Sequence, residues 1–404
     1  MDNNPSEKRH SYTLLIAALT LAMFTTVTLE MLAQVYLRDM AATFNVSVSV
    51  ASQIRLLASF LGFVVSLVLG FMAIRFRHKW LIVAGLIVII IGLIGTSLAP
   101  SFAFLQVFYP LDGVGSPIVG VAAIVIIGDM LPLEKKGKAI GIATAMGTLT
   151  FLVGIFIGGN IVGVFGSWRY ISLVFSLPIT ILALILVLFL VQSKPQVQQT
   201  EITRADYFGK YKKVLTNKSA IGCLAGNFLR VMLPITGAIF GVAFFIETWS
   251  LSVNQVVVQI IIPWMVIFFI SSWLGGQLLN WGGRRPLTII CTAVEAVFVM
   301  SFVNFPSAWG AMALGAVAVF ASGIGNTSAS CLYLEQIPES RGPMMALSNA
   351  TRYLGLAAGI AFAAIILSAS NYQIMGIVLG SLGFVSVALY YFLAKDPTKD
   401  KACT

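Results

Sequence analysis

Apolar residues in this chain come in long unbroken runs rather than at alternating positions. Twelve runs can be laid out, at about 12–36, 49–74, 80–99, 103–130, 139–164, 169–191, 219–246, 254–281, 286–304, 308–334, 343–368 and 373–394. Each approximates the roughly 20 residues that a helix rising ~1.5 Å per residue needs to cross a bilayer. Inside lipid only helices and closed barrels satisfy their own backbone hydrogen bonds, and barrel strands would alternate with a period of two. The pattern therefore predicts an all-α polytopic membrane protein with twelve transmembrane helices. The longest polar stretch divides them six and six. It gives an N-terminal six-helix bundle over 1–191, a central loop over 192–218, and a C-terminal six-helix bundle with a short tail over 219–404. The first run lacks a small-residue cleavage site, so it reads as a retained span rather than a signal peptide.

Composition fits a chain dissolved mainly in lipid, with 58% hydrophobic and 10% charged residues. The net charge of +10 would suggest a nucleic-acid partner in a soluble protein, so its placement matters. The basic residues gather at the N-terminus, in alternate links, in the central loop and in the tail. Only Arg38 and Arg169 fall on the other side, and only Arg55, Arg230 and Arg352 fall within spans. By the positive-inside rule both termini and the central loop face the cytoplasm of a plasma-membrane protein. The basic excess is then a topology signal, and nucleic acid is not an expected partner. Four cysteines, Cys223, Cys291, Cys331 and Cys403, show no paired spacing, so neither a metal site nor a disulfide is expected. No cofactor is expected either.

The two halves echo each other. Gly70 precedes a basic turn containing Arg75, Arg77 and Lys79 after the second span. Gly276 precedes Gly283, Arg284 and Arg285 at the equivalent place after the eighth. Pro132-Leu133-Glu134-Lys135-Lys136-Gly137 after span four matches Pro338-Glu339-Ser340-Arg341-Gly342 after span ten. Two six-span repeats about a central loop are an architecture of secondary transporters.

In these residues the chain resembles the major facilitator superfamily, and within it the twelve-span drug:proton antiporter branch. The resemblance covers essentially the whole chain. Gly70, Arg75 and Lys79, with Gly276, Arg284 and Arg285 in the second half, resemble the family's gating motif. Gly154, Gly158 and Gly159 resemble the branch's span-five motif, and Gly166-Ser167-Trp168-Arg169-Tyr170 resembles the turn leading into span six. The chain also departs from the pattern. Ile74 and Asn280 stand where the gating motif carries an acid, Ile155 where span five carries proline, and Tyr109 where such antiporters carry an arginine in span four. The resemblance implies the two-bundle major facilitator fold, with spans one, four, seven and ten lining a central cavity, a small-molecule substrate, protons as coupling ion and a functional monomer.

An ionisable group inside a span needs a partner, water or a function, because insertion scales place its cost at about 2.5–3.5 kcal/mol. Glu30 lies in span one with Gln34 one turn on. Counting the rise, Glu30 and Arg55 sit about 8–10 Å below the outer boundary and Asp112 about 13 Å. These three are expected to form a carboxylate–guanidinium cluster, with Glu30 and Asp112 as proton-coupling candidates and Arg55 as charge partner. Arg55 locked statically to an acid, or snorkelling outward, is the structural alternative.

In the second half Asn227 and Arg230 share a face of span seven and, with Gln34 of span one, are substrate-cavity candidates. Arg230 is expected either to meet an anionic substrate group or to hold a carboxylate. Glu295 and Arg352 are charge-partner candidates on spans nine and eleven, whereas Glu335 is expected at an interface. Asn326 is a cavity candidate in span ten. Of the aromatics Phe24, Tyr36, Phe108, Tyr109, Phe228, Phe240, Phe244 and Trp264, only Tyr109 and Phe228 are singled out as cavity candidates.

The reading these features support is export of small amphiphilic molecules, coupled to proton entry through alternating access. Uptake or facilitated passage of a specific metabolite is the alternative. A non-transporting receptor or scaffold would need large soluble loops, which the chain lacks. An intramembrane enzyme would need a catalytic cluster within the spans, yet the only histidines are His10 and His78. No Gly-x4-Gly-Lys-Ser/Thr loop is present to bind nucleotide.

Overall fold

A computed structural model describes residues 5–191, 204–234 and 240–397. Among the described residues eleven helices are long and apolar enough to cross a membrane. The remaining span of the twelve-helix fold, the seventh, is split in two. Contacts divide the chain into two compact units, one within Met1–Leu133 and Met146–Gly209, the other within Glu134–Ala145 and Lys210–Thr404.

In the first half of the chain the spans are Pro5–Thr25 continued by Thr28–Thr43, then Val48–Arg75, His78–Ser97, Phe102–Met130, Leu133–Phe165 and Ile171–Leu190. In the second they are Lys218–Arg230 with Gly241–Trp249, then Val253–Gly282, Arg284–Phe302, Ala308–Gln336, Arg341–Ala369 and Tyr372–Phe392. Span three packs on four and six, span two on four, and span one on six. Six spans later the same pairs recur, nine on ten and twelve, eight on ten, and seven on twelve. The sequence echo is thus a packing echo. Part of the central stretch expected as a loop, Arg204–Thr216, is a helix whose Lys213 pairs with Glu339.

Local chemistry sets the helix ends. Ser47, Ser101, Ser307 and Asn371 accept backbone N–H bonds at the starts of spans two, four, ten and twelve. Gly166 ends span five at φ 70°, the left-handed conformation that glycine adopts at no steric cost.

The basic turns finish other helices. Lys79 Nζ donates to the Leu188 carbonyl at the end of span six at 2.8 Å, and Arg169 Nη1 to that of Ser97 at the end of span three at 3.0 Å. Arg285 donates to the carbonyls of Tyr390 and Tyr391 at the end of span twelve. Cations on unpaired carbonyls at helix C-termini complement both the hydrogen-bond deficit and the dipole.

Both first spans break near mid-depth, where continuous helices are expected from hydropathy. In span one the hydroxyls of Thr25, Thr26 and Thr28 bond back to the carbonyls of Ala22, Met23 and Thr25. Such back-bonding competes with the helical ladder. In span seven Pro234 stands four residues after Arg230. It has no N–H for the Arg230 carbonyl, and its ring would clash with that carbonyl. The helix accordingly stops at Arg230 and turns through 231–234. Span four tightens to a 3₁₀ turn over Tyr109–Leu111, around Pro110.

Glycines allow the closest approaches. A Cβ on Gly113 in span four would overlap the Ala58 carbonyl of span two. Gly113→Ala should therefore force two backbones apart and cost about 1–3 kcal/mol, read as a lowered melting temperature in detergent. Gly159→Ala is the control: a Cβ there meets nothing within 4 Å, so its melting temperature should match or exceed the parent's. Equal melting of both variants would sink this account.

Candidate functional site

In the first unit Glu30 and Arg55 form an ion pair at 3.9 Å, with side chains 42% and 32% exposed. Span four brings Asp112 and Tyr109 beside them, both buried. Asp112 accepts a 2.7 Å hydrogen bond from Ser116, one turn further along the helix. Tyr109 lies within electrostatic reach of Asp112, Arg55 and Glu30 together. The structure thus brings together the three ionisable groups expected to cluster, with Tyr109 beside them. Gln34 lies outside the residues whose side chains are described, as does Arg75.

The span-five glycines face the second half of span one. A Cβ on Gly158 would come within 2.6 Å of the Tyr36 hydroxyl, and one on Gly154 would strike Met31. Gly159 faces open space. Lys79 serves as the helix cap described above, and Gly70 is buried at the end of span two.

The second unit holds a buried polar cluster. Arg230 is 5% exposed, and its Nη2 donates to Asn326 Oδ1 at 3.2 Å. Its guanidinium also reaches the Tyr333 hydroxyl, which is hydrogen-bonded to that of Tyr390. Asn227 turns to span eleven, donating to the Ser348 carbonyl at 2.7 Å and to Thr351 Oγ1 at 3.0 Å. Although it shares a helix face with Arg230, it is committed elsewhere. Phe228 is half-buried against the cluster of Met232, Ala363, Met375 and Leu379.

Glu295 is 1% exposed and lies within Coulombic reach of Arg230. Arg352 is exposed, donating to Asn349 and lying over the Tyr353 ring. Phe244 and Trp264 belong to an aromatic core with Phe245 and Phe302, where Trp264 donates to the Met312 carbonyl. Cys223, Cys291 and Cys331 are buried free thiols.

A second cluster was not foreseen. Glu335 lies at the end of span ten, as expected, and is buried there among cations. It takes Lys136 on one carboxylate oxygen and Arg341 on the other, each at 2.9 Å. Lys136 belongs to the first turn of span five, whose residues 134–145 lie in the second unit. A Cβ on Gly141 would come within 2.9 Å of the Ser272 carbonyl, and one on Gly137 within 2.9 Å of Gly276. The hydroxyls of Thr144 and Thr327 are 3.1 Å apart. Gly276 of the gating motif thus supports a helix crossing, while Arg284 is buried and its backbone N–H reaches Asp396.

Six-span repeats with interrupted first helices and charges held inside the spans define a polytopic membrane transporter. A family model described as Major Facilitator Superfamily matches residues 15–294, and the chain belongs to that superfamily. The MFS-type transporter YwfA of Bacillus subtilis is 27% identical over 174 residues, covering 43% of this chain and 42% of that one. The multidrug resistance protein Stp of Mycobacterium tuberculosis is 34% identical over 117 residues, covering 29% and 21%. These matches span less than half the length of either curated relative. The solved structure of the proton:xylose symporter XylE, bound to 6-bromo-6-deoxy-D-glucose, superposes with a TM-score of 0.79 at 16% identity, over 97% of each chain. It shares the fold.

Proposed function

We propose that this transporter exports small amphiphilic molecules by alternating access, driven by proton entry. The observation that carries the reading is the Glu30–Arg55 pair. It is a half-exposed carboxylate held by a guanidinium, with a second acid, Asp112, behind it. Removing the charge of such a carboxylate releases its guanidinium, which would link proton entry to a change of contact between spans one and two. The likeness to a relative named for multidrug resistance supports the export direction. The Lys/Arg asymmetry supports an orientation with both termini in the cytoplasm, and a monomer in the plasma membrane completes the reading. Gln34 and Asn326 are the residues we assign to the cavity, whereas Tyr109 is buried beside the two acids.

The test is dye transport in proteoliposomes under an imposed pH gradient. The parent should move a lipophilic cationic dye only with the gradient. Glu30→Gln should lose gradient-driven transport by at least about tenfold, about 1.4 kcal/mol in the barrier, while still exchanging dye at equilibrium. Full gradient-driven activity in that variant would remove Glu30 from the mechanism. Proton-coupled uptake of a specific metabolite is the second reading. It is favoured by the buried Tyr109 at the position where antiporters of this branch carry arginine. Dye movement unaffected by the gradient, together with accumulation of a polar metabolite, would select it.

A further inference from the structure

Neither carboxylate oxygen of Glu295 has a hydrogen-bond partner of full geometry, and the Nε of Arg230 is likewise unpaired. Ser322, from span ten, only presents its hydroxyl toward the carboxylate. An acid this buried with both oxygens open is unusual, because desolvated polar groups are ordinarily paired. A Cβ on Gly325 would lie 3.3 Å from Cys291 Cβ and 3.6 Å from Arg230 Nη1. The missing side chain therefore lets span ten come close to Cys291 of span nine and to the Arg230 guanidinium. Cys291 is one turn before Glu295 and on its face.

We propose that Glu295 is a proton-binding site of the C-terminal unit, exchanging its proton against the fixed charge of Arg230 at the break in span seven. The inference rests on the proton-coupled reading above and extends it to a second site. Arg230 keeps its charge at any accessible pH. The pair is therefore neutral when Glu295 is ionised and carries +1 when it is protonated. Only an O–H bond forms or breaks, and the proton comes from and returns to water. The titratable groups facing Glu295 are Arg230 of span seven and Cys291 of its own helix. Tyr333 and Tyr390, of spans ten and twelve, face Arg230 instead. Span twelve approaches the neighbouring Ala296 with glycines alone, Gly380 and Gly383.

Access follows from the break. Leu233, in the turn after Arg230, packs on Ala296 and Val299 and so covers the carboxyl's side of span nine. That turn is held to the helix by the bonds of Val231, Met232 and Leu233 N–H to the carbonyls of Asn227, Leu229 and Arg230. For Glu295 to exchange its proton with water, that turn has to open.

The test needs no substrate, so it fails or succeeds independently of the export reading. The full-length protein in lipid nanodiscs is titrated between about pH 5 and about pH 9 while infrared difference spectra are recorded. The parent should show the carbonyl stretch of a neutral carboxylic acid appearing and disappearing across this range. Glu295→Gln should abolish one such band, which Glu30→Gln and Asp112→Asn should leave in place. If Glu295→Gln fails to assemble, Glu295→Asp keeps the acid on a shorter stem and should move the band's frequency and midpoint. The proposal is overturned if no titrating acid band appears, if Glu295→Gln leaves every band intact, or if Glu295→Asp leaves frequency and midpoint unmoved.

Discussion

Replacing Glu335 by alanine is expected to destabilise the protein by about 3–5 kcal/mol, because it strips the carboxylate from between two cations in a buried setting. Lys136 and Arg341 each give one hydrogen bond to it, and the Lys136 and Glu335 side chains are almost fully buried. A charged ammonium held there without its counter-ion keeps its desolvation cost and loses the interaction that offsets it. Glu335→Gln should cost less, since the amide oxygen still accepts one of the two bonds. The measurement is thermal unfolding in detergent, with Glu335→Ala, Lys136→Met and the pair compared as a double-mutant cycle. The double variant should recover part of the loss, because methionine removes the more buried of the two cations that Glu335→Ala leaves without their carboxylate. A Glu335→Ala protein melting with the parent would show that this triad contributes nothing to the fold.

Arg230→Ala should lower stability by a comparable amount, about 3–5 kcal/mol, because it leaves Glu295 without the one cation in reach. It also removes the donor to Asn326. Arg230→Ala combined with Glu295→Gln should regain at least half of that loss, since the amide carries no charge to orphan. Arg230→Lys should retain part of the stability but lose the planar fork that lets one side chain reach both Asn326 and Tyr333. Should Arg230→Ala melt normally while substrate affinity falls, the guanidinium serves the substrate rather than the buried acid.

The spans were legible because length alone decides them: a run such as 80–99 has few other uses than crossing lipid. Proximity of Glu30 to Arg55 could also be read, because helical rise converts residue number into depth. What hydropathy missed is the break at Arg230, since Val231, Met232 and Leu233 are as apolar as a helix interior. Pro234 held that signal, four residues after the carbonyl it cannot serve. The Arg230–Glu295 cluster escaped for another reason: it joins spans seven and nine, and depth says nothing about which helices are neighbours. Asn326 and Tyr333 are seven apart, two helical turns on one face, a spacing that could have marked Tyr333. The Lys136–Glu335 contact joins residues 199 apart in sequence, beyond any local rule.

The interruption of span seven also bears on how the protein is made. Lys218–Arg230 is a helix of 13 residues, about 20 Å long at ~1.5 Å per residue. The hydrocarbon core is about 30 Å thick. The segment therefore cannot reach across, and it ends on an arginine whose insertion at mid-membrane costs about 2.5–3.5 kcal/mol. As it leaves the ribosome it is a poor candidate for stable partitioning into lipid by itself. Its retention depends on spans ten, eleven and twelve, which supply Asn326, Ser348, Thr351 and Tyr390 and are synthesised later. The polar side chains of Lys218–Arg230 therefore find their partners only once the last three spans are in place.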